Sequence, residues 1–339
     1  MPSVIYDKLD PLFETMGLIY FSRNLDEARK ETVSSLDELG LDGDKFYAAH
    51  FTVFEEYVQG FQKHYKPGDN DALFFDGIEI GLLLLFMCLL LENREQIDSV
   101  DQFKDSEINK EIIDFCGDLY DFKPEKNAKG LDEILAFIEK CSLTECEKWK
   151  LLQIMKSPKI YMKQLAATIS ANIPAFEKAQ DKVQAPLKKL IAQYLDIVKN
   201  GDKELFGRLK GSLSKTADVY PTLAFSISQL MFQDSCYYGL LSTLLVSQNG
   251  PDQGMLLRCL KALSDGSRLE ILRSLKQKPK YNLEIAEQLG LTAATMSHHM
   301  GVLLTCGFVS VSKQESKVYY HIEEQAVRRF IESIEQILI

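Results

Sequence analysis

Residues 292–304 read TAATMSHHMGVLL. Met296, Met300 and Leu303 recur at helical spacing, which predicts a helix that turns those three toward a core, with Leu289 of the preceding segment beside them. The outward side then carries Ala293, Ala294, Thr295, Ser297 and His298. The chain has five histidines in 339 residues, and two of them are adjacent here. Neighbours on a helix point about 100° apart, so His298 and His299 are poorly placed to share one metal ion. His298 faces outward as a contact candidate, and His299 sits at the edge of the packing surface.

The flanking sequence builds this helix into a module. Upstream, NLEIAEQLG (282–290) reads as a helix capped at Asn282 and stopped at Gly290; Leu291 bridges the turn and Thr292 caps the next helix. Two short helices joined through a glycine-containing turn are helix-turn-helix geometry, in which the second helix is offered to a DNA major groove. Further upstream, SRLEILRSLKQ has capping-box spacing from Ser267 to Glu270 and sets Leu269, Leu272 and Leu275 on one side. MLLRCLKALSD forms a short apolar helix before it. Downstream, FVSVSKQESKVYYHI runs to a polar turn at Gln314-Glu315-Ser316 and returns, which predicts a hairpin and hence a wing. The last segment, EEQAVRRFIESIEQILI, is amphipathic, with Val327, Phe330, Ile331, Ile334, Ile337 and Leu338 apolar.

On these segments the C-terminal module resembles the ArsR-type winged helix-turn-helix transcriptional regulators of bacteria. ALSDGSRLEILRSL is similar to the family's second helix, LTAATMSHHMGVLLTCGFV to its recognition helix running into the first wing strand, and SKVYYHI to the returning strand. The resemblance covers roughly the last quarter of the chain. It implies helices with a two-stranded wing, a homodimer built on the first and last helices, and a repressor acting on a palindromic operator in double-stranded DNA. The dimer face would then include Leu256, Leu260, Phe330, Ile331, Ile334 and Ile337. Independently, an isoleucine-rich terminal helix leaves an apolar face exposed in a lone module, so a partner for it is physically expected.

Thr292, Thr295, Ser297 and His298 can donate to base edges or phosphates, and the methyl of Ala294 can meet a thymine methyl. His299 stands where the family's recurring histidine stands. Lys313 and Lys317 at the hairpin tip can reach phosphate or minor groove, with Tyr319 on the returning strand. The family often carries Gln or Arg near Ala293 and Ala294 and a cation near Gly301, and their absence shifts weight onto backbone contacts and DNA shape. The metal-sensing members' cysteine pair before the turn, and their Asp and His cluster on the last helix, have no counterpart in NLEIAEQLG or VRRFIESIEQI, so no metal is expected. Cys259, Cys306 and His321 read as structural.

The rest of the chain is different in kind. Its length exceeds what one core usually supports, which predicts two domains. The net charge is -10, but residues 255–339 carry eleven Lys and Arg against nine Asp and Glu, so the other residues carry -12. A small cationic module fused to an acidic domain is the pattern of a nucleic-acid binder with a separate second function. The boundary is expected at 247–254, SQNGPDQG, between a domain spanning 1–246 and the module at 255–339.

Residues 1–212 read as helices. FYAAHFTVFEEYVQGFQKHY (46–65) predicts one amphipathic helix ended by Pro67-Gly68, and APLKKLIAQYLDIVKNG predicts another ended by Asn200-Gly201. LLLLFMCLLL is too short to span a bilayer and reads as a buried core helix. LAFSIS at 223–228 alternates like a half-buried strand, with Pro221 at its start. The fold class is thus mainly α: a large helical N-terminal domain with a small strand element, followed by a winged helix-turn-helix domain.

Seven cysteines without C-x-x-C spacing, and an N-terminus without a signal pattern, indicate a reducing, cytoplasmic setting and no membrane partner. Phosphate-loop, dinucleotide and hydrolase motifs are absent from the sequence, so an enzyme is not expected and no cofactor is required. The reading is a DNA-binding regulator, with residues 1–246 serving dimerisation, small-molecule sensing or both. A small-molecule-binding or interaction protein whose winged helix meets a protein partner is the alternative.

Overall fold

The computed structural model of the chain describes residues 4–38, 41–78, 80–92, 104–120, 131–141, 143–200, 218–232, 235–247, 253–290, 293–314 and 317–339. In chain order, helices α1–α11 are Pro11–Arg23, Leu25–Glu38, Gly43–His50, Thr52–Gln62, Asp71–Phe75, Ile80–Glu92, Asp105–Tyr120, Leu131–Lys140, Glu145–Lys156, Pro158–Lys182 and Gln184–Asn200. Strands β1 (Asp218–Thr222), β2 (Gln229–Met231) and β3 (Ser235–Gly239) precede α12 (Ser242–Ser247). The C-terminal series is α13 (Gln253–Leu263), α14 (Gly266–Leu275), β4 (Lys280–Tyr281), α15 (Asn282–Leu289), α16 (Ala293–Thr305), β5 (Val309–Gln314), β6 (Lys317–Ile322) and α17 (Glu324–Leu338). By proximity of its α-carbons the chain divides into two units. One comprises Asp10–Leu25 and Phe54–Gln184; the other comprises Met1–Leu9, Asp26–Val53 and Ala185–Ile339.

In the first unit, Asp10 caps α1: its Oδ1 accepts from the backbone N–H of Leu12 at 3.0 Å and of Phe13 at 3.4 Å. Pro11 follows, where a missing N–H costs nothing. α1 packs on α10 and α6. The buried Glu14 accepts from the Tyr57 hydroxyl at 2.8 Å, and burial together with that carboxylate pushes the phenol well above its ordinary range. The apolar run at 82–91 lies within α6, with Leu82, Leu83, Leu85, Phe86, Met87, Leu89 and Leu90 buried as core. Among the described residues no helix is long and apolar enough to cross a membrane.

The single helix expected over 46–65 is two, α3 and α4, broken at Phe51. Phe51 closes α3: its N–H bonds Tyr47 O at 2.9 Å and its ring stacks on Tyr47 at 4.4 Å. Each half keeps the helical step, so the spacing of the aromatic residues does not register the break. α4 stops at Gln62, before Pro67. The segment beyond is held by the buried Asn172, which accepts from Lys66 N at 2.7 Å and donates to Lys66 O at 2.8 Å. The expected stop of α11 at Gly201 lies outside the described residues, while its stripe of Leu187, Leu190, Tyr194 and Val198 is buried.

In the second unit, β1 and β3 pair in parallel, and β2 pairs antiparallel with β3, giving the order β1-β3-β2. The strand expected at 223–228 is a turn instead, and the strands flank it. Two hydroxyls bond local backbone here: Ser226 Oγ donates to Leu223 O at 2.5 Å, and Thr222 Oγ1, at the end of β1, accepts from Phe225 N at 3.3 Å. Pro221 lies within β1, a strand at the end of the sheet order, where a missing N–H is tolerated. The turn presses on Gly239, where an added Cβ would fall 2.5 Å from the carbonyl oxygens of Phe225 and Ser226. That close approach requires glycine.

The expected boundary at 247–254 falls largely outside the described residues, with Ser247 closing α12 and Gln253 opening α13. In the C-terminal module, the order β4-β6-β5 forms an antiparallel sheet, with Val309 opposite Ile322 and Gln314 opposite Lys317 at the two ends of the hairpin. β4 adds a third strand to the expected two. The core is formed by Ile271, Ile285, Met296, Met300, Leu303 and Phe308, among others. α14 begins earlier than its capping-box spacing suggests: the cap is Asp265, not Ser267, with Oδ1 accepting from Arg268 N at 3.0 Å. Its buried face is Ile271, Ser274 and Leu275, and Leu269 is exposed. α15 is likewise entered at Tyr281 rather than capped by Asn282, with Tyr281 N donating to Glu284 Oε2 at 3.2 Å.

Candidate nucleic-acid interface

The link from α15 to α16 starts at Gly290. This glycine ends α15 in the left-handed region at φ 66°, and its N–H returns to Ala286 O. Leu291 and Thr292 lie outside the described residues, and α16 runs from Ala293. Met296, Met300 and Leu303 are buried as the spacing predicts, joined by His299 and Val302. With about 100° per residue, positions 294, 298 and 301 fall opposite 296 and 303. Gly301 there is exposed. Position 295 falls between those of the buried His299 and Val302. The side chains of Ala294, Thr295, Ser297 and His298 lie outside the described residues.

His299 is 8 % exposed, and it belongs to a node that sequence reading missed. Arg268 donates its backbone N–H to Asp265 and its Nε to Ala262 O at 2.8 Å, tying the start of α14 to the end of α13. Burial pushes the Asp265 carboxyl up, but the Arg268 N–H and the nearby charges of Arg268 and His299 outweigh it and hold the group below its ordinary value. Three helices therefore converge here. The sequence signal was an Asp-Gly pair directly before Ser267.

On the wing, Lys313 pairs with Val318 and Lys317 with Gln314, the last positions before the hairpin tip. The side chains of both lysines, and residues 315–316, lie outside the described residues. Tyr319 is half-buried, with its ring edge-on to Tyr281 at 5.8 Å. The wing strand is thereby packed beside the start of α15.

α13 and α17 pack together. Of the residues expected on a dimer face, Leu256 lies in the interior, while its neighbour Leu257 is 60 % exposed and Leu260 is exposed. Phe330 turns inward, edge-on to Phe308 at 5.3 Å. Ile334 is half-buried, and Ile331 and Ile337 are 48 % and 57 % exposed. Cys259 and Cys306 are buried, with Cys259 Sγ donating to Cys306 O at 3.9 Å. Among the described residues no group of three His, Cys, Asp or Glu side chains is placed to hold a metal ion.

From Asp265, α14, β4, α15 with its Gly290 cap, α16 and the antiparallel hairpin of β5 and β6 thus follow in order. The sequence profile described as "Bacterial regulatory protein, arsR family" matches residues 265–311. The C-terminal module is of ArsR type. The ArsR-type module is 29 % identical over 89 residues to a protein named "Probable mercury resistance operon repressor" of Streptomyces lividans, covering 26 % of this chain and 70 % of that one. It is 25 % identical over 93 residues to the HTH-type transcriptional regulator KmtR of Mycobacterium tuberculosis, covering 26 % of this chain and 72 % of that one. A cadmium resistance transcriptional regulatory protein CadC homolog of Staphylococcus aureus is 29 % identical over 89 residues, covering 26 % and 71 %. No solved structure matches the chain significantly. These relatives are transcriptional regulators, and the matches leave about three quarters of the chain beside the ArsR-type module.

Proposed function

We propose that the protein is a DNA-binding transcriptional repressor that acts as a homodimer on a palindromic operator, with its acidic helical remainder receiving a small-molecule signal. The observation that carries this reading is the order of elements around Gly290: a recognition helix anchored by Met296, His299, Met300 and Leu303, beside a hairpin that brings Lys313 and Lys317 to its tip. The names of the relatives support regulation, and repression in particular. The exposed leucines and isoleucines of α13 and α17 support self-association, since an apolar face of that kind needs a partner. Recognition then depends on phosphate contacts and DNA shape more than on long side chains read against base edges.

Genome-wide DNA capture with the purified chain tests this. The wild type is expected to enrich one palindromic sequence. Lys313→Ala/Lys317→Ala should weaken binding to all duplexes alike and reduce the salt dependence by about one counterion for each phosphate no longer neutralised, whereas His298→Ala should lower discrimination between sequences. A wild type with no enriched sequence, and variants that bind like it, would sink the reading.

A further inference from the structure

Lys280 stands in β4, the short strand that joins the wing through β6, opposite Tyr320. Its side chain does not leave for solvent. The residue is 6 % exposed; its ammonium donates to Ser274 Oγ of α14 and to Gln288 Oε1 of α15, each at 2.7 Å, and Ser274 Oγ donates to Gln288 Oε1 at 2.8 Å. Both acceptors are neutral. Buried charges are ordinarily paired, because desolvating them is costly. Two carboxylates of the neighbouring segments are engaged elsewhere, Glu270 with Arg273 at 2.6 Å and Glu284 with Lys278 at 3.6 Å.

Ser274 lies in the last turn of α14 and Gln288 in the last turn of α15. One ammonium thus serves two helix ends. Gln288 is also two residues before Gly290, where the chain turns toward α16.

We propose that Lys280 is a positioning residue for DNA recognition: it locks the end of α15, and with it the turn into the recognition helix, to the strand that carries the wing. This rests on the DNA-binding reading above. A recognition helix and a wing contact one duplex together only if their separation is fixed, and Lys280 ties the two through a backbone pair on one side and two side-chain bonds on the other. Removing those bonds loosens the angle between the elements without touching a DNA-contact residue.

The full-length variants Lys280→Met, Lys280→Arg and Gln288→Ala test this against the captured operator duplex and an unrelated duplex. For Lys280→Met, with helicity retained by circular dichroism, the ratio of operator to unrelated affinity should fall about tenfold, and Lys280→Arg should restore most of it. A merely structural lysine would lower both affinities together, in proportion to the folded fraction. A folded Lys280→Met protein with the wild-type ratio overturns the proposal. Should Lys280→Met not fold, Gln288→Ala, which removes only the acceptor on α15, carries the same expectation and is overturned by the same unchanged ratio. If the wild type prefers no duplex, the regulator reading falls instead. Hydrogen exchange then decides the lock by itself: faster exchange of the last amides of α15 in the variants supports it, and unchanged exchange rejects it.

Discussion

Asp265 both caps α14 and carries a carboxyl that the fold holds below its ordinary value, so its removal has two separable effects. Loss of the cap in Asp265→Ala is expected to destabilise the module by about 1 kcal/mol, read as a lower thermal midpoint near neutral pH. The folded state holds this carboxyl below its ordinary value of 3.8. The folded state therefore favours the ionised form, so the stabilisation is fully present above the ordinary carboxylate range and is lost as pH falls through the lower, folded value. The gap in midpoint between wild type and Asp265→Asn should accordingly narrow on acidification toward about pH 3. A gap that stays constant over that range would show that the charge at Asp265 contributes nothing. The capping-box spacing pointed to Ser267 instead of Asp265, and nothing local pointed to the link with His299, thirty-four positions along the chain.

At the scale of elements, α17 stands out for its exposed apolar residues. It buries no residue fully and leaves Ile331 and Ile337 exposed, as Leu257 and Leu260 are on α13, which packs with it. In the double variant Ile331→Glu/Ile337→Glu, the mass by analytical ultracentrifugation should fall from dimer to monomer. Helicity should stay unchanged, because both side chains are already exposed in the single chain. A wild type that is monomeric at the same concentration, or a variant that remains dimeric, would remove this face from the dimer. The turn at 223–227 and the break at Phe51 show where pattern reading fails at this scale. Alternation and helical spacing describe which side chains are apolar, but serine and threonine hydroxyls bonded to local backbone, or a ring stacked one turn back, redirect the chain without altering the pattern.

For the whole molecule, the proposed function has the acidic helical remainder act on the cationic module. A metabolite that binds only the folded state at a hundredfold excess over its Kd should stabilise the chain by about 2.7 kcal/mol, a shift that a thermal screen detects. If that metabolite is the signal, it changes operator affinity by some factor, and the operator duplex must change metabolite affinity by the same factor. Titrations with and without duplex read both sides of this cycle. Equal metabolite affinities in the two would show that the helical part is not a sensor. The sequence alone determined the module: helical spacing through Met296, Met300 and Leu303, a glycine at the turn and alternation in the wing are local signals, each fixed by the backbone geometry of a single element. The tertiary structure decided which groups meet across elements: Arg268 of α14 with Ala262 O of α13, Lys280 with Ser274 and Gln288, Gly239 with the turn at 225–226. The physical reason is that such contacts join residues whose separation along the chain carries no periodic signature, and only the packing of finished elements brings them within bonding distance.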